Sequence, residues 1–571
     1  MTTTTVQIIH NATHAKLITD DKSIRRSVSA MLSYKVAGSE HMGGGSWDGS
    51  SSFYEMRKDR FPAGFVRLVK KRLEASKIRV LVKSKEVPKP LGPVAPVVDS
   101  FPADPRYDYQ DETMIRQIKM RGMIAQVATG GGKSRIFKLC CERIGRPTLF
   151  ITTRKSLMYQ MAEAYENDLG KPAGILGDGQ WSPKPTGVNF AIVDTLVSRL
   201  EQKSYSVELD KAVEKIIEKA EKQVQKKLTD LGLPSNLKVV RNVPKAILDK
   251  VTKLRESIYA THTGNKENLQ TEISAKVIRH NERREETIEF LRKIEFLAIE
   301  EAHEVSGNGF YDIAMTCENA YYRLALTATP FMKDDEEANM RLMAVTGVIG
   351  IKVSEKLLID RGILAKPYFV YLDSHSPKNQ AGHPVVMRST PYSKAYAKGI
   401  SENLDRNMVI ARQVHNAKRH GLTAMILVQH TKHGKALEVI MNNLGIKTRF
   451  IHGAHEQKER ASALRELGDG QLDCLIGSTI LDVGVDVPSV GMVGLAGGGK
   501  AEVSIRQRIG RGLRFKKTGP NVVLVFDFND NFNNHLARHS KERRRIIADT
   551  PGFAENVVSK FDYRALGFTK R

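Results

Sequence analysis

Cysteine is scarce: Cys140, Cys141, Cys317 and Cys474 are the only four in 571 residues. They form no C-x-x-C pair and keep no fixed spacing to histidines, which argues against structural zinc and a disulfide framework and points to a reducing compartment. Long apolar runs are missing too; none reaches the ~18 residues a bilayer span needs. The N-terminus, MTTTTVQIIHNATHAK, has no basic stretch leading into an apolar core, so a secretory signal is not expected. Acidic charge is in deficit, with 64 Asp and Glu against 89 Lys and Arg, a net charge of +25. This balance favours a polyanion partner, because each phosphate neutralised by a cation releases condensed counterions. Charge alone does not separate DNA from RNA, and it is also compatible with a merely solvated basic surface.

What is present is the composition of a soluble globular protein, 41% hydrophobic and 27% charged. The length calls for several domains. Residues 1–90 read as a small α+β unit: VQIIH, AKLIT, SSFYEM and IRVLV as strands, IRRSVSAMLSY and GFVRLVKKRLEAS as helices. Lys70, Lys71, Arg72, Lys77, Arg79, Lys83 and Lys85 crowd its second half, so the unit is expected to be a small basic nucleic-acid-binding domain. The proline-rich 87-VPKPLGPVAPVVDSFPADP-105 reads as a stiff extended linker.

Beyond it, near-continuous apolar strands alternate with helical patterns: GMIAQVA, PTLFITT, VNFAIVD, IEFLAIE and YRLALTA, then, after a break near 335–365, AMILVQH, KTRFIHG, LDCLIGS, GMVGLAG and NVVLVFDF. Parallel sheets covered on both faces have this signature. The expected architecture is α/β, with two tandem domains over 91–345 and 346–548 and a tail over 549–571. Residues 201–293 interrupt the rhythm with a helical insertion, in which Val213, Ile217, Ala220, Val224, Leu228 and Leu231 recur at spacings of three and four. Ile247, Val251, Leu254, Ile258, Leu269, Ile273 and Val277 continue the pattern, as an antiparallel hairpin or small bundle.

The stretch 124-IAQVATGGGKSR-135 follows a strand and opens a helix. In that context backbone N–H groups and a helix N-terminus face one anion. Gly130, Gly131 and Gly132 would curl around phosphate oxygens, Lys133 would reach the terminal phosphates, and the Ser134 hydroxyl would hold magnesium. A glycine turn beside an ordinary lysine remains the alternative, since Val127 stands where the general phosphate-loop pattern has glycine. Glu300 and Glu301 end the strand IEFLAIE, where one carboxylate suits a metal shell and the next an attacking water. The strand before 327-TATP-330 ends on the same rim, where ligands of open α/β sheets bind. In the second domain Gln507, Arg511 and Arg514 share a helical face, as a structural ion cluster or as arginine fingers.

The ordered series ATGGGKS, TTRKSLMYQ, IVDTLVSRL, EEAH, TATP, LVQHTKHGKAL, FIHGAHEQKER, STILDVGVDVP and QRIGRGLR resembles the motif set of the superfamily 2 helicases over roughly 105–530. TATP and Q-R-x-G-R-x-L-R are more similar to the RecG, XPB and UvsW group than to the DEAD-box RNA helicases. The flanking WDGSSSFYEMRKDRFPAGFV and VFDFNDNFNNHLARHSKERRRII resemble UvsW-type phage helicases. Three departures stand out: Tyr107 replaces an arginine, Glu300 replaces an aspartate, and Val483 stands where motif V often has glutamate.

The resemblance implies two RecA-like domains closing on ATP and Mg2+. Gln110 would contact adenine; Thr129, Gly130, Gly131, Gly132, Lys133, Ser134, Gly484 and Asp486 would hold the nucleotide. Glu300 and Ser134 would sit on the metal, Glu301 would orient the attacking water, and Gln507, Arg511 and Arg514 would complete catalysis. Thr327 and Thr329 would couple hydrolysis to movement, while Thr153, Arg154, Thr195, Ser478 and Thr479 would grip a strand by its phosphates. The implied activity is unwinding or branch migration of forks, D-loops and Holliday junctions in recombination, repair or replication, in a cytoplasm, the host's if phage-encoded. An RNA helicase, or a duplex translocase powering a partner, stays open, and protein partners are not specified.

Overall fold

The computed structural model describes residues 4–36, 48–100, 104–230, 232, 244–263, 266–302, 307–331, 335–478, 490–499, 509–510, 512–516 and 519–570. Two compact units divide the chain: residues 1–193 with 294–571, and residues 194–293.

The larger unit begins with a four-stranded sheet of order β5-β2-β1-β6, made by β1 (Thr5–His10), β2 (His14–Ile18), β5 (Arg60–Pro62) and β6 (Arg79–Ser84); β3 (Ser33–Lys35) and β4 (Ser50–Ser52) pair separately. The alternation in VQIIH sends Val6 and Ile8 inward, as period two requires. Asp21 caps the helix Lys22–Met31, accepting from the backbone N–H groups of Ser23 and Ile24, and the helix Val66–Ala75 buries Val66, Val69 and Leu73. This core also takes Met340 and Ala344 from the helix Glu336–Thr346. The expected free linker is strapped down instead: Leu91 N–H donates to the Ile144 carbonyl at 3.0 Å, Arg143 Nη1 donates to the Gly92 carbonyl at 2.7 Å, and Val98 is buried.

An eight-stranded sheet follows, with order β10-β9-β11-β8-β12-β13-β7-β14. Its strands are β7 (Gly122–Val127), β8 (Thr148–Thr152), β9 (Gly174–Gly177), β10 (Gln180–Ser182), β11 (Val188–Ile192), β12 (Phe296–Glu300), β13 (Tyr322–Thr327) and β14 (Ile349–Val353). All neighbours are parallel except the β9–β10 edge pair. Every residue of β8, β11, β12 and β13 is buried, which explains their unbroken apolar runs. The boundary expected at 345/346 is corrected, because β14 pairs with β7 and Leu358 joins the same core, so the first sheet's body continues past Val353.

The second sheet is wholly parallel, with order β15-β20-β19-β16-β18-β17, from β15 (Lys366–Asp373), β16 (Ala424–Leu427), β17 (Thr448–Ile451), β18 (Cys474–Gly477), β19 (Met492–Leu495) and β20 (Val522–Asn529). Residues 549–571, expected as a tail, pack on it: the Phe553 ring lies 5.3 Å from that of Phe369, Val558 N–H donates to the Phe369 carbonyl at 2.8 Å, and Phe568 is buried. These two sheets, parallel but for the β9–β10 pair, are those expected of a tandem α/β protein.

The unit 194–293 holds the helices Tyr205–Asp230, Lys245–Thr263 and Lys266–Arg292. Ala220, Val224 and Leu228 pack on Val251 and Ile258, and Tyr259 Oη donates to Glu221 Oε1 at 2.9 Å. The 26-residue first helix is longer than its packed face: Val213 and Ile217 stay 40% and 43% exposed. Leu231 lies outside the described residues. Among the described residues no helix is long and apolar enough to cross a membrane.

Candidate functional site

Parallel pairing brings the ends of β7, β8, β12 and β13 to one rim: Glu300 lies opposite Leu326, and Thr327 opposite Gln126. Past Val127 the chain turns through Gly130 (φ 84°) and Gly132 (φ 77°), left-handed values that L side chains resist, and then enters the helix Lys133–Ile144. Gly132 is doubly constrained, because a Cβ there would stand 2.3 Å from Gln110 Nε2. The open helix terminus and the glycine turn therefore face the same point, as an anion site requires.

Lys133 Nζ reaches Glu301 Oε1 at 3.4 Å and Glu300 Oε1 at 3.6 Å. Consecutive strand residues point to opposite faces, so two neighbouring glutamates should not meet one lysine. Glu301 escapes that alternation through its φ of 48°, a left-handed conformation that costs a non-glycine residue ~1 kcal/mol or more. Glu300 is buried, and its Oε2 has no hydrogen-bond partner among the described residues. Burial raises its pKa most; Lys133 opposes that shift and the charge of Glu301 reinforces it. An orphaned, desolvated carboxylate oxygen beside Ser134 fits a divalent cation, with Glu300 and Ser134 as its holders.

A cavity of about 390 Å3 opens on this rim, lined by Gly130, Gly132, Lys133, Ser134 and Glu300 from one side and by Leu364, Arg514 and Phe515 from the other. QRIGRGLR thus meets ATGGGKS, since a Cβ on Gly510 would stand 2.8 Å from Thr129 Cβ, and Ala365 N–H donates to the Leu513 carbonyl at 2.7 Å. Tyr107, Leu157, Gln160 and Met161 complete the lining. Phe515, 49% exposed, escaped the sequence reading although it directly follows Arg514.

Gln110 is buried beneath the loop rather than open toward a base. Its Nε2 donates to the Gly131 carbonyl at 3.3 Å and its Oε1 accepts from Arg135 Nη1 at 2.9 Å, so adenine would have to compete for both ends. Tyr109 Oη donates to the same carbonyl at 2.8 Å, and Asp99 anchors Arg135 at 2.7 Å. This buttress of Tyr109, Arg135 and Asp99 carries no motif signature and was missed.

Thr327 and Thr329 are buried, with Thr329 N–H donating to Thr327 Oγ1 at 3.2 Å, and Gln126 Nε2 donates to the Ala328 carbonyl at 3.3 Å, tying this turn to β7. Thr153 and Arg154 follow β8 and precede the helix Lys155–Leu169; Ser478 follows β18. Thr195 belongs to the helix Val193–Leu200, within the second compact unit. Gln507, Arg511, Thr479, Gly484 and Asp486, like Val483, lie outside the described residues.

Residues 105–332 match the family described as the res subunit of type III restriction enzymes, and residues 405–516 match the helicase conserved C-terminal domain. A candidate helicase, number 22 of Sulfolobus islandicus filamentous virus, is 23% identical over 242 residues, 40% of this chain and 41% of that protein. The UvrABC system protein B of Rhodopirellula baltica is 36% identical over 122 residues, 20% of this chain and 17% of that protein. The chain therefore spans less than half the length of these curated relatives. Among solved structures, T4 UvsW aligns over 97% of this chain and 98% of its own at 15% identity and TM-score 0.39. The DNA-bound DUF1998 helicase MrfA aligns over 80% and 52% at 12% identity and TM-score 0.48. The two family matches follow one another in the order of the motif series, on either side of the cleft.

Proposed function

We propose that this chain is an ATP-driven DNA helicase that unwinds or branch-migrates forks, D-loops and Holliday junctions. The observation that carries the ATPase reading is Lys133, whose ammonium lies within 3.6 Å of both Glu300 and Glu301 in the cleft that Arg514 also lines. A triphosphate entering this cleft would draw Lys133 onto its phosphates. The ion pair with Glu301 then loosens, leaving that carboxylate to orient a water and take its proton. Magnesium, held by Glu300 and Ser134, supplies charge neutralisation on the phosphates when bound. Arg514, with Arg511 and Gln507 of the same motif, would stabilise the charge developing on the transferred group from the other domain. Hydrolysis would release that closure, and Thr327 and Thr329, tied to β7 through Gln126 and Ala328, would pass the change to the strand-gripping residues Thr153, Arg154, Thr195, Ser478 and Thr479.

The preference for DNA is supported by the likeness of TATP and Q-R-x-G-R-x-L-R to the UvsW group, and a nucleic-acid partner of either kind by the net charge of +25. The experiment compares ATPase and strand displacement on a fork, a Holliday junction, single strands and an RNA duplex. Branched DNA should stimulate hydrolysis most and be unwound. RNA-selective stimulation would overturn the DNA assignment, and hydrolysis without strand displacement would make the chain a translocase.

A further inference from the structure

Away from the nucleotide rim, the N-terminal sheet and the first large sheet enclose a second cavity of about 400 Å3. Its polar walls come from distant stretches: His10 and Ser84 at the ends of β1 and β6, Arg67 and Lys70 on the helix Val66–Ala75, and Lys119 and Arg121 where the helix Asp108–Met120 stops. No aspartate or glutamate among the described residues lines it. Gly122, the first residue of β7, belongs to the lining, whereas the phosphate loop follows that strand's other end. The six residues between place the two sites ~20 Å apart, on opposite rims of one sheet.

The cavity is held open by packing. Gly64 lies so close to the helix Glu336–Thr346 that a Cβ would stand 2.1 Å from the Met343 carbonyl oxygen, and Phe65, Val69, Met340 and Ala344 share one core. Of the cations on its walls, Arg323 is buried and donates to the Ala320 and Cys317 carbonyls at 2.8 Å, whereas Arg67, Lys70 and Arg121 have weak or easily exchanged partners. Arg67 Nη2 donates to the carbonyls of Lys119 and Met120 at 3.4 and 3.3 Å, and Arg121 Nη1 donates to Ser84 Oγ at 3.4 Å. Lys70 faces Glu74 at 3.7 Å in a solvent-exposed pair. Arg121 is held at φ 66°, a positive value that favours glycine. Its carbonyl accepts from Gln117 Nε2 at 2.6 Å and from Arg323 N–H at 2.7 Å, bonds that any residue could make, so the arginine side chain is what the strain retains. Burial, and the positive field of Arg121 and Arg67, lower the pKa of His10 against the effect of its bond to Asn11.

We propose that this cavity is a second nucleic-acid site, in which Arg67, Lys70, Lys119 and Arg121 receive the phosphodiester backbone of a duplex arm on the rim opposite ATP. Lys71, Lys83 and Lys85, next in sequence to the lining residues Lys70 and Ser84, are exposed, and this wider basic content suits a polymer better than a single phosphate compound. The inference rests on the nucleic-acid part of the proposed function and adds the place where a branched substrate's second arm is held.

The test uses the full chain carrying Lys70→Gln, Lys119→Gln and Arg121→Gly, with fork binding followed by fluorescence anisotropy from low to high salt. Each lost phosphate contact lowers the log–log salt slope by about 1, so a fall of about 2 to 3 is expected, with at least tenfold weaker fork affinity near 0.1 M salt. ATPase stimulated by a short single strand should be unchanged, and this arm reports the nucleotide rim separately. Arg121→Gly alone should lower the slope by about 1 without lowering the melting temperature, since glycine suits that backbone; a residue serving only the helix end would show no slope change. A folded triple variant with wild-type slope and affinity would overturn the proposal. So would calorimetric binding of pyrophosphate that the triple variant loses while its fork slope stays normal, because the cavity would then serve a small phosphorylated ligand.

Discussion

At the carboxyl ends of the first large sheet, Lys133 is balanced by Glu300 and Glu301 in the cleft that Arg514 also lines; at the amino ends, Arg67, Lys70, Lys119 and Arg121 meet no lining carboxylate. Catalysis on a polyphosphate needs both signs of charge, because a base and a metal holder must sit beside the phosphate-binding cation. Those groups must be buried, so that their interactions are strong and fixed. Holding a polyanion needs one sign only, and the cations work half-exposed, where the released counterions supply the driving force. The same sheet thus separates a site that is sensitive to geometry from one that is sensitive to salt.

The comparison can be broken most forcefully from the second domain. Arg514→Ala should slow ATP hydrolysis by about 10³-fold while leaving the salt dependence of fork binding intact; steady-state ATPase and anisotropy on the same preparation check both. Glu301→Gln should slow turnover by about 10²-fold or more, with ATP still bound, as seen by a fluorescent nucleotide analogue. Retained turnover would mean that the left-handed Glu301 serves packing alone.

The smallest effect is expected away from both rims. His433 is buried in the helix Thr431–Asn443, bonded through Nε2 to Asn407 Oδ1 at 2.9 Å. Burial, then Arg406 and His430, push its pKa down to about 3. The unfolded chain therefore binds this proton more tightly, so stability is steady above pH ~6.5 and falls as pH drops from there toward 3, by about 2 kcal/mol at pH 5. His433→Gln should flatten that decline in denaturant titrations at pH 5 to 7.

The rim around Lys133 was legible in the sequence because its motifs stand at the ends of buried apolar strands, so strand and motif announce one another. ATGGGK follows GMIAQV, Glu300 and Glu301 follow FLAI, and Thr327 follows YRLAL. β14 was lost in the apparent break because Gly350 and Lys352 dilute IGIKV, and β15 went unread beyond it because Pro367 is the second residue of KPYFVYLD. The chain end hid its packing for a related reason: Phe553 and Phe568 are single aromatics among polar residues, with no period to read. The basic cavity was illegible because β1, three helices and β6 contribute one to three residues each, and only their lysine and arginine content showed. Gln110 was found by resemblance, yet its grip on Gly131 depends on Arg135 and Asp99, which no spacing connects.

The most direct measurement is steady-state ATP hydrolysis by the full chain and by Lys133→Ala, each with saturating forked DNA and with none. The account predicts DNA-stimulated hydrolysis in the first and none above background in the second, with fork affinity unchanged. Equal hydrolysis by both proteins would contradict it.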